Sequence, residues 1–252
     1  MADPQGDIII APENPSCSIL IAHGYSGGND SFGELATALS QECNAQVLIP
    51  LLPGHGATDG DLIPYSLSDF VDMARRMAAK RAPDVPFICM GYCYGGYVVG
   101  SLARELHADA LVFAITPYSP RFPLSLPGIP WLFSLFPLLK KPYTREDIEF
   151  RKGIFYYRKI PGKSLYIMRE GIQVLDTELP KCHVPILTLH NIDDPADYAD
   201  SGARIIAKAP ENPLSKSVVF KRGRHTMFFG PYRAEPIRTV VDFVRSVVPD
   251  RS

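Results

Sequence analysis

Three side chains able to do nucleophilic chemistry stand far apart in the chain: Cys93 in Gly91-Tyr92-Cys93-Tyr94-Gly95, Asp194 in Asn191-Ile-Asp-Asp194, and His225 in Gly223-Arg-His225. A thiol becomes a strong nucleophile once ionised, which an imidazole base and a positive local field promote; a carboxylate can fix the imidazole tautomer. Around Cys93 the pattern is strand, sharp turn, helix. Residues 85–90 are an apolar run, 91–95 form a glycine-flanked turn, and helical spacing resumes over 94–105. This is the context of a nucleophile elbow, with cysteine where the usual G-x-S-x-G has serine. Small residues on either side suit a strained central residue and a close strand-to-helix approach. The helix N-terminus behind the turn favours a thiolate. Alone, the string is equally well explained as a glycine-rich turn around a buried cysteine.

The remaining elements determine whether these groups can meet. Apolar runs predict strands over 8–10, 17–22, 47–51, 110–115, 185–189 and 217–220, and amphipathic spacing predicts helices over 31–41, 68–80, 201–207 and 235–247. Strands alternating with helices imply a mostly parallel, doubly wound α/β sheet. Cys93, the acid and His225 each follow a predicted strand, so all three emerge at the carboxyl edge of the sheet, where open α/β folds bind ligands. The chain order of nucleophile, acid and histidine is informative in itself, because other triads run in other orders. Asp193 is a rival to Asp194 as the acid. Asp197 and Asp200 read as the start of the next helix.

Between 117 and 180 the alternation breaks. This proline-rich stretch carries Leu124, Leu126, Ile129, Trp131, Leu132, Phe133, Leu135, Phe136, Leu138 and Leu139, and an insertion of that size is expected to be a cap or lid. Short helices are expected within 144–158 and over 164–175. The expected division is therefore a core of 1–116 and 181–252 with an inserted apolar, mainly helical cap of 117–180. Trp131 and Phe136 are candidate contacts for an apolar acyl or aromatic group. His23 is a candidate substrate contact too, although for His23 and His55 a hydrogen-bonded structural role is preferred.

The motifs His23-Gly24-Tyr25-Ser26-Gly27-Gly28, Pro53-Gly54-His55-Gly56, Gly91-Tyr92-Cys93-Tyr94-Gly95-Gly96, Asn191-Ile-Asp-Asp194 and Gly223-Arg-His225 resemble those of the α/β-hydrolase superfamily. The resemblance is greatest to its carboxylesterase, monoacylglycerol lipase and lysophospholipase-like branch. It covers nearly the whole core and little of the cap. It implies an α/β-hydrolase fold, a Cys93–His225–Asp194 triad, and an oxyanion hole made by the backbone N–H groups of Tyr25 and Tyr94. Spacing within the branch selects Asp194 over Asp193, since Asn191 takes the place of the small residue three positions before the acid. Cysteine in a Gly-Tyr-Cys elbow departs from the branch and is similar to dienelactone hydrolases.

The resulting expectation is an acyl hydrolase or acyltransferase that acts on an ester or thioester through an acyl-thioester intermediate. Three alternatives stay open: a serine-type carboxylesterase or lipase whose serine was exchanged for cysteine, a non-catalytic ligand binder of the same fold, and a lyase or cyclase using His225 without a covalent intermediate.

Composition narrows the partners. A formal net charge of −1 over 252 residues, without a long basic stripe, gives nucleic-acid binding no support. The Lys221, Arg222 and Arg224 cluster reads as a solvated loop. His and Cys spacings match no metal motif, so neither metal nor cofactor is expected. The five cysteines are odd in number and irregularly spaced, and no signal-like or membrane-length apolar segment is visible. Reduced thiols and a cytoplasmic location are the expectation. Cys89, on the elbow strand, should be an inert buried thiol.

Overall fold

The computed structural model describes residues 6–56, 61–121, 124–126 and 128–248. The first half alternates as the periodicity requires: β1 (Ile8–Ile10), β2 (Cys17–Ala22), α1 (Gly33–Cys43), β3 (Ala45–Ile49), α2 (Leu67–Ala78), β4 (Phe87–Tyr92), α3 (Gly95–Leu102) and β5 (Ala110–Ala114). An insertion follows, with α4 (Ile129–Ser134), β6 (Leu139–Lys140), α5 (Arg145–Phe150), β7 (Lys159–Ile160) and α6 (Ser164–Glu178). The alternation resumes with β8 (Ile186–Asn191), α7 (Ser201–Lys208), β9 (Lys216–Phe220) and α8 (Ala234–Val247).

Seven strands form one sheet in the order β1-β3-β2-β4-β5-β8-β9; only the β1–β3 pairing in it is antiparallel. Strands β2 to β5 and β8 are buried along their whole length, because helices cover both faces, and this is why they read as continuous apolar runs. Period-two alternation divides their side chains between two cores. Leu20, Cys89, Leu111 and Phe113 pack with α2, α3 and α6, whereas Ile19, Ile21, Ile88, Met90 and Val112 pack with α1 and α8. The sulfur of Cys89 is thus core filling, as expected.

Strand order places β4 between β2 and β5, so the elbow that follows it stands mid-sheet beside the loop that follows β2. The approach is very close. A Cβ on Gly95 would lie 2.0 Å from the Ala22 carbonyl oxygen, and one on Gly91 would lie 2.4 Å from the backbone of Gly95 and Gly96. Backbone in the middle of a sheet cannot yield. Gly95→Ala is therefore expected to cost about 3 kcal/mol or more, seen by calorimetry as a Tm lowered by roughly 6–12 °C for a chain of this size.

Within the insertion, α5 is a short helix inside 144–158, as expected, and it ends at Phe150. Thr144 and Asp147 close a capping box at its start, Gly153 then turns with φ of 87°, and 155–157 run extended against the loop after β2. Tyr156 bridges to Gly27, the Tyr157 N–H donates to the Ser26 carbonyl at 2.8 Å, and the Phe155 N–H donates to the Asp30 carboxylate at 2.6 Å. Those backbone groups are engaged by the core and are not available to a helix.

Candidate active site

The chain leaves β4 through Cys93, whose φ of 53° puts a non-glycine residue in the left-handed region. Such a conformation costs about 1–3 kcal/mol and persists only where its surroundings enforce it. Here the Cys93 N–H donates to the Ala114 carbonyl (2.8 Å) and the Gly96 N–H donates to the Cys93 carbonyl (3.0 Å). The partly buried thiol is thereby set at the head of α3.

The histidine loop after β9 is fixed from several sides. Gly223 and Arg224 both have positive φ. The Asn191 amide donates to the Arg224 carbonyl (2.7 Å), and the Asp193 carboxylate accepts from the Gly223 and Arg224 N–H groups (3.3 and 2.8 Å). The His225 carbonyl accepts from the Tyr92 hydroxyl (3.0 Å) and from Arg151 Nη2 (3.1 Å). The ring that results has Nδ1 2.7 Å from Asp194 Oδ2. The other oxygen of Asp194 accepts the Ala196 N–H at 2.8 Å. The two adjacent acids thus have different partners: Asp194 meets the imidazole, and Asp193 clamps the backbone that carries it.

The His225 ring and the Cys93 side chain border one space. Burial by itself would push His225 down; the Asp194 charge, then the Cys93 sulfur, more than offset it and raise the imidazole to about 10. Burial pushes the Cys17 thiol up to about 12 and that of Cys89 further still.

A cavity of about 20 Å³ adjoins Cys93 and His225 and is lined also by Gly24, Ser26, Arg151 and Tyr156. That is room for about one water-sized group. Ser31, Ile154 and Phe229 line both this space and a neighbouring cleft of about 560 Å³ that includes Glu34, Phe150, Phe228 and Arg233. The cleft has the size of a small-molecule pocket.

The other sequence candidates fall on both sides of this boundary. A Cβ on Gly24 would meet the Cys93 Cβ at 3.1 Å, so the peptide leading into Tyr25 lies against the elbow. The rings of Tyr25 and Tyr94 are 5.2 Å apart, and the Tyr94 hydroxyl donates to the Ser164 carbonyl of the insertion at 2.9 Å. His23 lines neither space. It is buried, its Nδ1 bonds the Gly24 carbonyl (3.0 Å) and its Nε2 accepts the Leu52 N–H (3.0 Å), a structural assignment that burial supports by holding the ring neutral. His55 is likewise buried and bonded to the Tyr25 carbonyl at 2.9 Å, with burial lowering it to about 4. Trp131 and Phe136 are 61% and 50% exposed and line neither cavity, which corrects their expected role beside the nucleophile. Their apolar spacing reflects an outward face of α4 and the turn after it.

Two further corrections concern charge. Arg224 is not a solvated loop residue. It makes a bidentate ion pair with Asp147 of α5 (2.8 and 3.0 Å), and Asp147 is also 3.6 Å from Arg151. Asp197 does not start a helix; it is fully buried, and its carboxylate accepts the Ser119 N–H at 3.0 Å where the chain leaves β5. Arg151 and Asp147 were not identified from sequence, although their i, i+4 spacing is that of a helical ion pair. No group of three or more His, Cys, Asp or Glu among the described residues is disposed to hold a metal ion.

The fold is of the doubly wound α/β class, with the elbow that carries Cys93 in mid-sheet. The chain belongs to the alpha/beta hydrolase family, whose model matches residues 19–243. No curated protein sequence matches it. Solved structures that share the fold include a metagenome-derived lipolytic enzyme of the LipS and LipT pair (TM-score 0.78, 14% identity, 96% of this chain and 97% of that one). The monoacylglycerol lipase of Paleococcus ferrophilus is similar at TM-score 0.77 and 15% identity over 95% and 98% of the two chains. A soluble variant of the Saccharomyces cerevisiae monoglyceride lipase is similar at 0.77 and 11% over 97% and 92%. Identities this low establish the shared fold alone. No helix among the described residues is long and apolar enough to cross a membrane.

Proposed function

We propose that this hydrolase cleaves esters or thioesters through a Cys93–His225–Asp194 triad and a covalent acyl-thioester intermediate. The observation that carries the reading is the His225 imidazole bonded to the Asp194 carboxylate at 2.7 Å while it borders the same space as Cys93. In the acylation step the thiolate adds to the carbonyl carbon, and the bond to the leaving oxygen or sulfur breaks as that atom takes the proton from His225 Nε2. Water then adds to the thioester and gives a proton to Nε2. The carbon–sulfur bond breaks, the acid departs and the thiolate–imidazolium pair is restored. The N–H groups of Tyr25 and Tyr94 are assigned to the developing oxyanion, each contributing on the order of 3 kcal/mol. An amine or alcohol in place of water makes the same enzyme an acyltransferase.

The neighbours named as lipases share the fold at 15% identity or less, so the test must be chemical. Intact-protein mass spectrometry on acid-quenched turnover of a p-nitrophenyl ester or an S-alkyl thioester is expected to show one acyl group, mapped to Cys93 by peptide analysis and missing from Cys93→Ala. Full turnover by Cys93→Ala without an adduct would remove the covalent mechanism and return the site to a binding or general-base role.

A further inference from the structure

Among the described residues that line the space at Cys93, Arg151 is the one that carries a permanent charge, and none is a carboxylate. A guanidinium that is only 5% exposed is expensive to bury unless its charge is matched. The match here is partial. Of its five N–H donors, Nη1 donates to the Asp147 carbonyl (3.0 Å) and Nη2 to the His225 carbonyl (3.1 Å), both uncharged acceptors. The Asp147 carboxylate lies 3.6 Å away and is engaged more closely by Arg224, at 2.8 and 3.0 Å. The rings of Tyr143 (4.8 Å) and Phe229 (5.9 Å) flank the guanidinium.

A second cation reinforces the first. Lys141 Nζ donates to Ser26 Oγ at 2.7 Å, and Ser26 lines the same space. The local potential shows in Tyr143: burial pushes its phenol up, yet the charges of Lys141 and Arg151 leave it below its ordinary value. Arg151 and Arg224 thus share the buried Asp147 carboxylate, while Lys141 adds a cation beside Ser26 and the Tyr143 ring.

We propose that Arg151 is an anion subsite and that the preferred acyl donors carry a free carboxylate a few bonds from the reacting carbonyl. This rests on Cys93 being the nucleophile. The space as it stands admits about one water-sized group, so a donor that sets an acid group on the guanidinium and a carbonyl on the sulfur must be short and must open this space toward the larger cleft as it binds. Hemi-esters and hemi-thioesters of small dicarboxylic acids fit that requirement, and the planar fork of Arg151 matches a carboxylate. The rest of the substrate extends past Ser31, Ile154 and Phe229 into the larger cleft.

The test compares S-ethyl monothiosuccinate with S-ethyl thiobutyrate, which differ in a terminal carboxylate, by loss of thioester absorbance at low ionic strength. The wild-type ratio of kcat/KM is expected to favour the anionic substrate by about ten-fold or more, mostly through KM. It should collapse toward one in Arg151→Gln and recover in part in Arg151→Lys. A wild-type ratio of one or less overturns the proposal. So does an undiminished ratio in a folded Arg151→Gln. Inhibition of thiobutyrate turnover by free succinate needs no variant: succinate should inhibit more strongly than neutral succinamide, and equal inhibition, or inhibition by inorganic phosphate without any by succinate, excludes the carboxylate subsite. Failure of the triad itself looks different, since neither thioester would then acylate Cys93.

Discussion

His225→Gln, Cys93→Ala and the double variant are each expected to lose about 10⁴-fold or more in kcat for thioester turnover, with the double no worse than the singles. The shared loss follows from how the groups are held. Nδ1 is committed to Asp194 at 2.7 Å, so only Nε2 can exchange a proton with the sulfur and the leaving group. Without the ring the thiol loses its base and the leaving group its acid. Steady-state kinetics with circular dichroism to establish folding checks this, and additive losses would show that the two residues do not act as a unit. The pH dependence has a defined sign. The imidazole is raised from 6.5 to about 10 in the folded chain, so its protonation favours folding fully below pH 6.5 and that contribution fades as pH rises toward 10. The Tm difference between wild type and His225→Gln should accordingly shift against the wild type across that interval, and turnover should fall as the imidazolium is lost.

Asp147→Ala should produce the largest loss of stability among substitutions outside the sheet core. It removes the carboxylate shared by Arg224 and Arg151, which are 19% and 6% exposed at their side chains, and leaves two largely buried cations without it. Breaking such a pair costs about 3–5 kcal/mol, which calorimetry should register as a Tm drop on the order of 10 °C for a chain this long. A surface-like loss of less than about 1 kcal/mol would show that the pair is solvated after all. Burial pushes the Asp147 carboxyl up, but the hydrogen bond from Arg224 and those within the Thr144 cap bring it down from 3.8 to about 2. The associated stabilisation is present above pH 3.8 and is lost as pH falls through about 2, so Asp147→Asn should flatten the acid limb of the stability curve. Because Arg151 bonds the His225 carbonyl, Asp147 variants should also lower kcat through the position of the imidazole.

Much of this molecule was readable before any coordinates. Apolar runs locate every strand of the main sheet to within a few residues; β2 to β5 and β8, covered on both faces, have no polar side to interrupt them. The elbow was legible because a Cβ at 91 or 95 would meet backbone, and one at 96 the Thr116 side chain, at distances no Cβ tolerates. The choice of Asp194 over Asp193 matches the observed partners, although it came through family resemblance, since adjacent aspartates in a turn are indistinguishable by type.

The insertion was the least legible part. Trp131 and Phe136 have the composition of a substrate-facing cap, yet apolar spacing carries no information on whether a face turns toward the core or away from it, and here it turns outward. Arg224 looked like a surface charge because its partner lies 77 residues earlier, in α5. What the sequence determined by itself are the local quantities: periodicity, turn chemistry, and the chain order of thiol, acid and imidazole. Tertiary structure alone decided which charges are paired, which apolar face is exposed, and that Arg151 borders the nucleophile. These depend on contacts between distant segments, and no local preference of residue type fixes such contacts.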